Sequence, residues 1–167
     1  NLDTDPGNGL CEALEQPSRI DSLFIERAMI KVTDNLRILA AEAPITETQM
    51  VDTGAIDVLM YELRRKFAWV IIDLPRFVSP MQRIVLSAAS RVVIVCERSL
   101  AGLRDTIRMQ TLVREQAPQT QLMLVDSGAH GDRPTVGKGE FEKAVGTALA
   151  GSLSYDPKSA GAAAAAG

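Results

Sequence analysis

Aromatic side chains are scarce in this chain: four phenylalanines, two tyrosines and one tryptophan make up 4% of its 167 residues. A core of ordinary size then has to be built from Leu, Ile, Val, Ala and Met, as in parallel sheets covered by helices. Cysteine is also rare, with only Cys11 and Cys96, which excludes a disulfide framework and points to a reducing cytoplasm. Cys96 closes the apolar run Val92-Val93-Ile94-Val95-Cys96, where a buried thiol is expected. A single histidine, His130, excludes a metal centre built on several imidazoles. With no G-x-S-x-G elbow and no cysteine beside a histidine, nucleophilic hydrolysis has no visible constellation. No apolar stretch approaches the roughly 18 residues that span a bilayer, and no signal peptide is visible. A formal charge of −3 gives no whole-chain basic signature, so binding driven by neutralised nucleic-acid phosphates is disfavoured.

The stretch around which the chain is organised is Trp69-Val70-Ile71-Ile72-Asp73-Leu74-Pro75. Its apolar run is short, rich in β-branched residues and without polar alternation, which predicts a strand buried on both faces of a parallel sheet. Asp73 falls where that strand leaves the core, at the carboxyl edge where open α/β sheets bind ligands. A carboxylate there can hold magnesium, or a magnesium-bound water, against phosphates, as a Walker B aspartate does. The same seven residues also fit an ordinary buried strand ending in a solvated acid, so the choice rests on the remaining sequence.

Residues 1–9 have loop composition, with Asp3 and Asp5 near Pro6, Gly7 and Gly9, and lack the longer pattern of a calcium loop. Leu10 to Glu15 predicts a short helix and Ser22 to Lys31 a second, capped by Asp21. Leu36 to Ala40 is the first strand candidate, followed by a loop at Pro44 and Thr46. Asp52 to Lys66 carries Ile56, Leu59, Met60 and Leu63 at helical spacing. After the organising strand, helices are expected over 79–90, 100–116 and 139–149. Buried strands are expected over 91–97 and 121–126, with a short last strand at 153–155. Alternation without hairpin signals argues an α/β fold: a doubly wound, mainly parallel sheet with helices on both faces. The tail Gly161 to Gly167 is low in complexity, and its alanines favour helix only if packed.

Asp73, Glu97 and Asp126 would then line one sheet edge. Gly131 to Lys138 imitates a phosphate loop, but too many residues separate its glycines and Gly139 supplies no hydroxyl for magnesium. A loop leading into a helix is the better reading there. The chain therefore offers a nucleotide-type edge without a phosphate cradle.

In their order and spacing, these segments resemble the CpaE/TadZ pilus-assembly proteins of the MinD/ParA group of deviant P-loop ATPases. The resemblance is carried by Gly9-Leu10-Cys11-Glu12-Ala13-Leu14 with Arg19-Ile20-Asp21, by Leu39-Ala40-Ala41-Glu42-Ala43-Pro44, and by Phe67 to Arg76, similar to the Walker B segment. Ser99-Leu100-Ala101-Gly102-Leu103-Arg104-Asp105 and Tyr155-Asp156-Pro157 with Gly161 extend it to nearly the whole chain. It implies a cytoplasmic protein, placed at the cell pole, that binds ATP or ADP with Mg2+ and dimerises around nucleotide. Its partners would be a second copy and the proteins of a type IV (Flp/Tad) pilus machine. It assigns Asp73 to the magnesium side through a water, Asp126 to the position where many relatives read adenine with asparagine, and Tyr155, Asp156 and Pro157 to the border of the base.

The resemblance also implies that the Walker A lysines precede Asn1. Residues 1–167 would then be one MinD/ParA-like domain, incomplete at its N-terminus, whose sheet lacks its P-loop strand. No residue of this chain is assigned a catalytic role. An aspartate at 126 accepts hydrogen bonds where asparagine both donates and accepts, and Ala165 and Ala166 stand where relatives often have asparagines. These departures keep open a rival, a localisation scaffold that retains the fold without nucleotide chemistry. A ParA-like DNA-partitioning protein is a third reading, disfavoured by the acidic balance.

Overall fold

The computed structural model describes residues 9–40, 52–76, 79–128 and 135–165. The loops expected around residues 1–8 and 44–46, the residues 41–44 and 166 cited in the resemblance, and His130 with Gly131 lie outside them. The chain divides into two compact units, Asn1–Ile84 with Ala162–Gly167, and Val85–Gly161.

In the first unit, α1 (Gly9–Glu15) buries Cys11, Ala13 and Leu14, and a single 3-10 turn over Pro17–Arg19 follows it. Helix α2 (Ser22–Ala28) starts where the Asp21 carboxylate accepts from the Phe24 amide at 2.6 Å, and it fully buries Ile25. It stops at Met29, whose backbone is extended. The helix expected as far as Lys31 is therefore shortened, because Ile30–Lys31 (β1) pairs antiparallel with Arg37–Ile38 (β2). The strand expected over 36–40 reduces to the second arm of this hairpin, so the absence of hairpins is corrected as well. Helix α3 (Thr53–Lys66) turns Ala55, Ile56, Leu59, Met60 and Leu63 into the core, the stripe that helical periodicity requires. Asp52 caps it by accepting from the Gly54 amide at 2.7 Å, a contact worth about 1 kcal/mol. At its other end Lys66 donates to the Ser22 carbonyl at 2.9 Å, tying α3 to α2.

The largest correction concerns residues 69–75. They carry no strand pairing among the described residues, and Trp69 and Ile71 are 77% and 91% exposed. Apolar β-branched residues favour a strand only when a neighbour takes up their backbone groups and covers their faces. Neither condition is met here.

Helix α4 (Pro80–Ala88) precedes β3 (Arg91–Cys96). The second unit is then built as β3, α5 (Leu100–Gln116), β4 (Gln121–Asp126), α6 (Lys138–Val145) and β5 (Leu149–Ser152). The three strands are parallel in the order β3-β4-β5, with Ile94 opposite Leu124 and Cys96 opposite Asp126. Helix α5 lies against β3 and α6. Ile94, Cys96, Leu124, Val113 and Phe141 supply the core. The expectation of strands buried on both faces is only half met, since Val93 and Val95 remain 50% and 48% exposed.

Two glycines set the geometry of this unit. A Cβ on Gly102 would lie 2.1 Å from the Glu97 carbonyl oxygen, so only glycine lets the first turn of α5 close on the end of β3. Gly146, at φ +67°, ends α6 in the left-handed region. The chain reverses there, and the last strand runs from Leu149 instead of Leu153. The helix expected to reach 149 stops at Val145 because residues 149–152 pair with β4. The final segment forms α7 (Pro157–Ala165), which includes most of the alanine tail.

Candidate functional site

Parallel strands deliver their carboxyl ends to one edge, so the second unit brings together the residues that follow β3, β4 and β5. The edge is knitted by backbone bonds: the Ser127 amide donates to the Cys96 carbonyl at 2.7 Å and the Leu153 amide to the Asp126 carbonyl at 2.8 Å. Gly128, at φ +64°, lies so close to the next segment that a Cβ would sit 2.0 Å from the Leu153 carbonyl oxygen. Past that contact Leu153 and Tyr155 are 56% and 58% exposed.

Asp126 is the buried charge of this edge, with 2% of its surface exposed. One carboxylate oxygen, Oδ2, accepts from Arg98 Nε at 2.7 Å, and the other, Oδ1, accepts from the Gly128 amide at 3.2 Å. Arg98 also donates from Nη1 to the Val136 carbonyl at 3.1 Å, while the Val136 amide donates to the Arg98 carbonyl at 2.7 Å. The pair thus ties the strand ends to the segment that leads into α6. Burying the Asp126 charge is tolerable here because the partly exposed Arg98 pairs with it and each group makes a further hydrogen bond.

Of the residues singled out from the sequence, Asp126 and Tyr155 both border Gly128: the first accepts from its amide, and the backbone nitrogen of the second would lie 3.4 Å from a Cβ added there. Asp156 follows and caps α7, accepting from the Ser159 amide at 3.0 Å. Hydrogen bonds from the Ser159 hydroxyl and then its amide hold the Asp156 carboxyl below the usual 3.8. Pro157 begins the helix, where its missing N–H costs nothing. Asp73 belongs to the first unit and is exposed. The expectation that it joins Glu97 and Asp126 on one sheet edge fails in its premise, since no strand carries it. Arg98 was missed by sequence reasoning. Its signal was available: a cation two residues beyond one buried strand, and an acid at the end of the next, where parallel register sets them side by side.

Among the described residues no group of three or more His, Cys, Asp or Glu side chains is arranged to hold a metal ion. An exposed lone carboxylate such as Asp73 still fits magnesium, which takes one or two carboxylates and fills its other positions with water and phosphate oxygens. A depression of about 640 Å³ beside α1 and α2 is lined by Glu12, Arg19, Asp21 and Arg27, and includes none of the site residues. No described helix is long and apolar enough to cross a membrane.

No family model matches the sequence, and no curated protein does. Solved structures do match. A ParA family ATPase from Chlorobium tepidum superposes with a TM-score of 0.85 at 16% identity, covering 96% of this chain and 66% of that one. The cell division ATPase MinD of Pyrococcus furiosus gives 0.73 at 16%, covering 92% and 62%. The septum site-determining protein MinD of Pyrococcus horikoshii, solved with Mg-ADP, gives 0.73 at 13%, covering 93% and 62%. The chain therefore has the α/β fold of ParA/MinD ATPases over almost its whole length, and spans less than two thirds of the length of those relatives.

Proposed function

We propose that this chain is the larger part of an ATP-dependent dimerisation switch of CpaE/TadZ type, which positions and assembles a pilus machine at the cell pole. The observation that supports the nucleotide-switch part of the reading is the fold, a TM-score of 0.85 over 96% of the chain to a ParA family ATPase, while the pilus role rests on the sequence resemblance alone. The Mg-ADP held by the MinD of Pyrococcus horikoshii supports the ligand class. Asp73 would accept from a magnesium-bound water, and Tyr155, Asp156 and Pro157 would flank the base beside Asp126. When bound, magnesium supplies charge neutralisation at the phosphates. The phosphate cradle would come from sequence outside this chain. Two features, each within its own unit, support missing neighbours: the run from Trp69 to Asp73, unpaired among the described residues with Trp69 and Ile71 exposed, and the half-exposed Val93 and Val95, which share one face of β3 and leave that face partly uncovered.

Calorimetry of ATP and ADP with magnesium tests this reading on the whole encoded protein, on its Asp73→Ala variant and on this chain. Binding by the whole protein, weakened by the substitution and lost in the 167-residue chain, is the expected outcome. No binding by the intact protein would favour the scaffold reading, for which the carboxylate at 126 and the alanine-rich tail speak.

A further inference from the structure

We propose that Arg98, held in place by Asp126, is the group this edge presents to a nucleobase, and that the base is held by stacking instead of being read along its hydrogen-bonding edge. The inference rests on the nucleotide-binding reading above and specifies how the base is recognised. An ionised carboxylate only accepts, so Asp126 offers no donor to the ring nitrogens of adenine. Guanine presents donors that a carboxylate suits, but both oxygens of Asp126 are already engaged, by Arg98 Nε at 2.7 Å and the Gly128 amide at 3.2 Å. Asp126 is only 2% exposed, so a base edge could reach that carboxylate only by parting it from Arg98 and leaving a buried charge uncompensated, which is strongly unfavourable.

Arg98 is placed differently. Its side chain is 21% exposed where that of Asp126 is 3%. Hydrogen bonds from Nε and Nη1 lie in the guanidinium plane, so the carboxylate of Asp126 and the carbonyl of Val136 fix the orientation of that plane. A fixed guanidinium plane is a stacking platform for nucleobases. Stacking tolerates any base, because each has a π-face. Asp126 is then a positioning residue: it acts on the ligand through Arg98.

The test is equilibrium binding of MgATP, MgGTP and magnesium tripolyphosphate to the whole encoded protein. ATP and GTP should bind within about threefold of each other, and both about tenfold more tightly than tripolyphosphate, the scale of one stacked base. Arg98→Lys keeps the charge but loses the plane. It should weaken ATP and GTP together by about tenfold and leave tripolyphosphate unchanged, which also reports that the variant is folded. Asp126→Asn should keep the ATP to GTP ratio near one. A preference for either base above about tenfold that Asp126→Asn shifts or reverses would mean that residue 126 reads the base edge, and would overturn the proposal while leaving nucleotide binding intact. Unchanged ATP and GTP binding in Arg98→Lys overturns it equally. Failure of all three ligands to bind overturns the nucleotide reading itself, and this inference with it.

Discussion

Residues 69–73 and 121–126 are written alike, each an apolar run closed by an aspartate. The second is a strand with a parallel neighbour on either side, and its Asp126 is buried and bonded. The first pairs with nothing among the described residues, and its Asp73 is exposed. The difference lies in the surroundings. A β-run is stabilised by ladder bonds and by side chains packed on its faces, and its own composition supplies neither.

The contrast can be broken most directly by mutation in the two runs. Leu124→Ala removes a fully buried side chain from β4 and should cost about 2–5 kcal/mol in urea unfolding. Ile71→Ala, at 91% exposure, should fall within about 0.5 kcal/mol of the parent. A cost above about 2 kcal/mol for Ile71→Ala would mean that the run is buried in solution, and the comparison would fail.

A sheet lacking a neighbour should also show in the melting of the whole chain. The 167-residue chain is expected to be less stable than its length suggests and to unfold at low temperature. Differential scanning calorimetry checks this, and one cooperative transition at high temperature would contradict it. Next in size is Gly102→Ala, whose Cβ would meet the Glu97 carbonyl oxygen at 2.1 Å. It should cost about 1–3 kcal/mol, whereas Gly139→Ala, with open space around it in α6, should be neutral or stabilising by up to about 1 kcal/mol. Similar midpoints for the two variants would remove the close approach of α5 to β3.

Much of this was legible in the sequence where local signals suffice. Helix α5 spans the predicted 100–116 because Ser99 caps it, accepting from the Gly102 amide, and Pro118 lies just beyond its end. Helix α3 was legible from its stripe and from Asp52. What could not be read depended on partners distant in sequence. The failed strand at 69–74 turns on a missing neighbour, and the shift of the last strand from 153–155 to 149–152 turns on pairing with β4. At the candidate site, the sequence singled out Asp126 from a family position. It did not expose Arg98, because the bond between them spans 28 residues and follows only from strand register.

The smallest expected effect separates Asp126 from Asp156, both in the second unit. Asp126 is buried and paired, whereas Asp156 stands in solvent at the start of α7, with its carboxyl lowered below 3.8 by hydrogen bonds from Ser159. A lowered carboxyl favours the ionised, capped state, so its contribution is fully present above its unfolded value. It is lost as pH falls through the still lower folded one. Acid should therefore fray the first turn of α7 below about pH 4. The Ser159 amide shift should follow the titration of Asp156, and Asp156→Ala should abolish that response while leaving the amide of Gly128, bonded to Asp126, in place. A Ser159 amide that is silent across this range would mean that Asp156 does not cap α7, and the local signal that begins the last helix would lie in Pro157 alone.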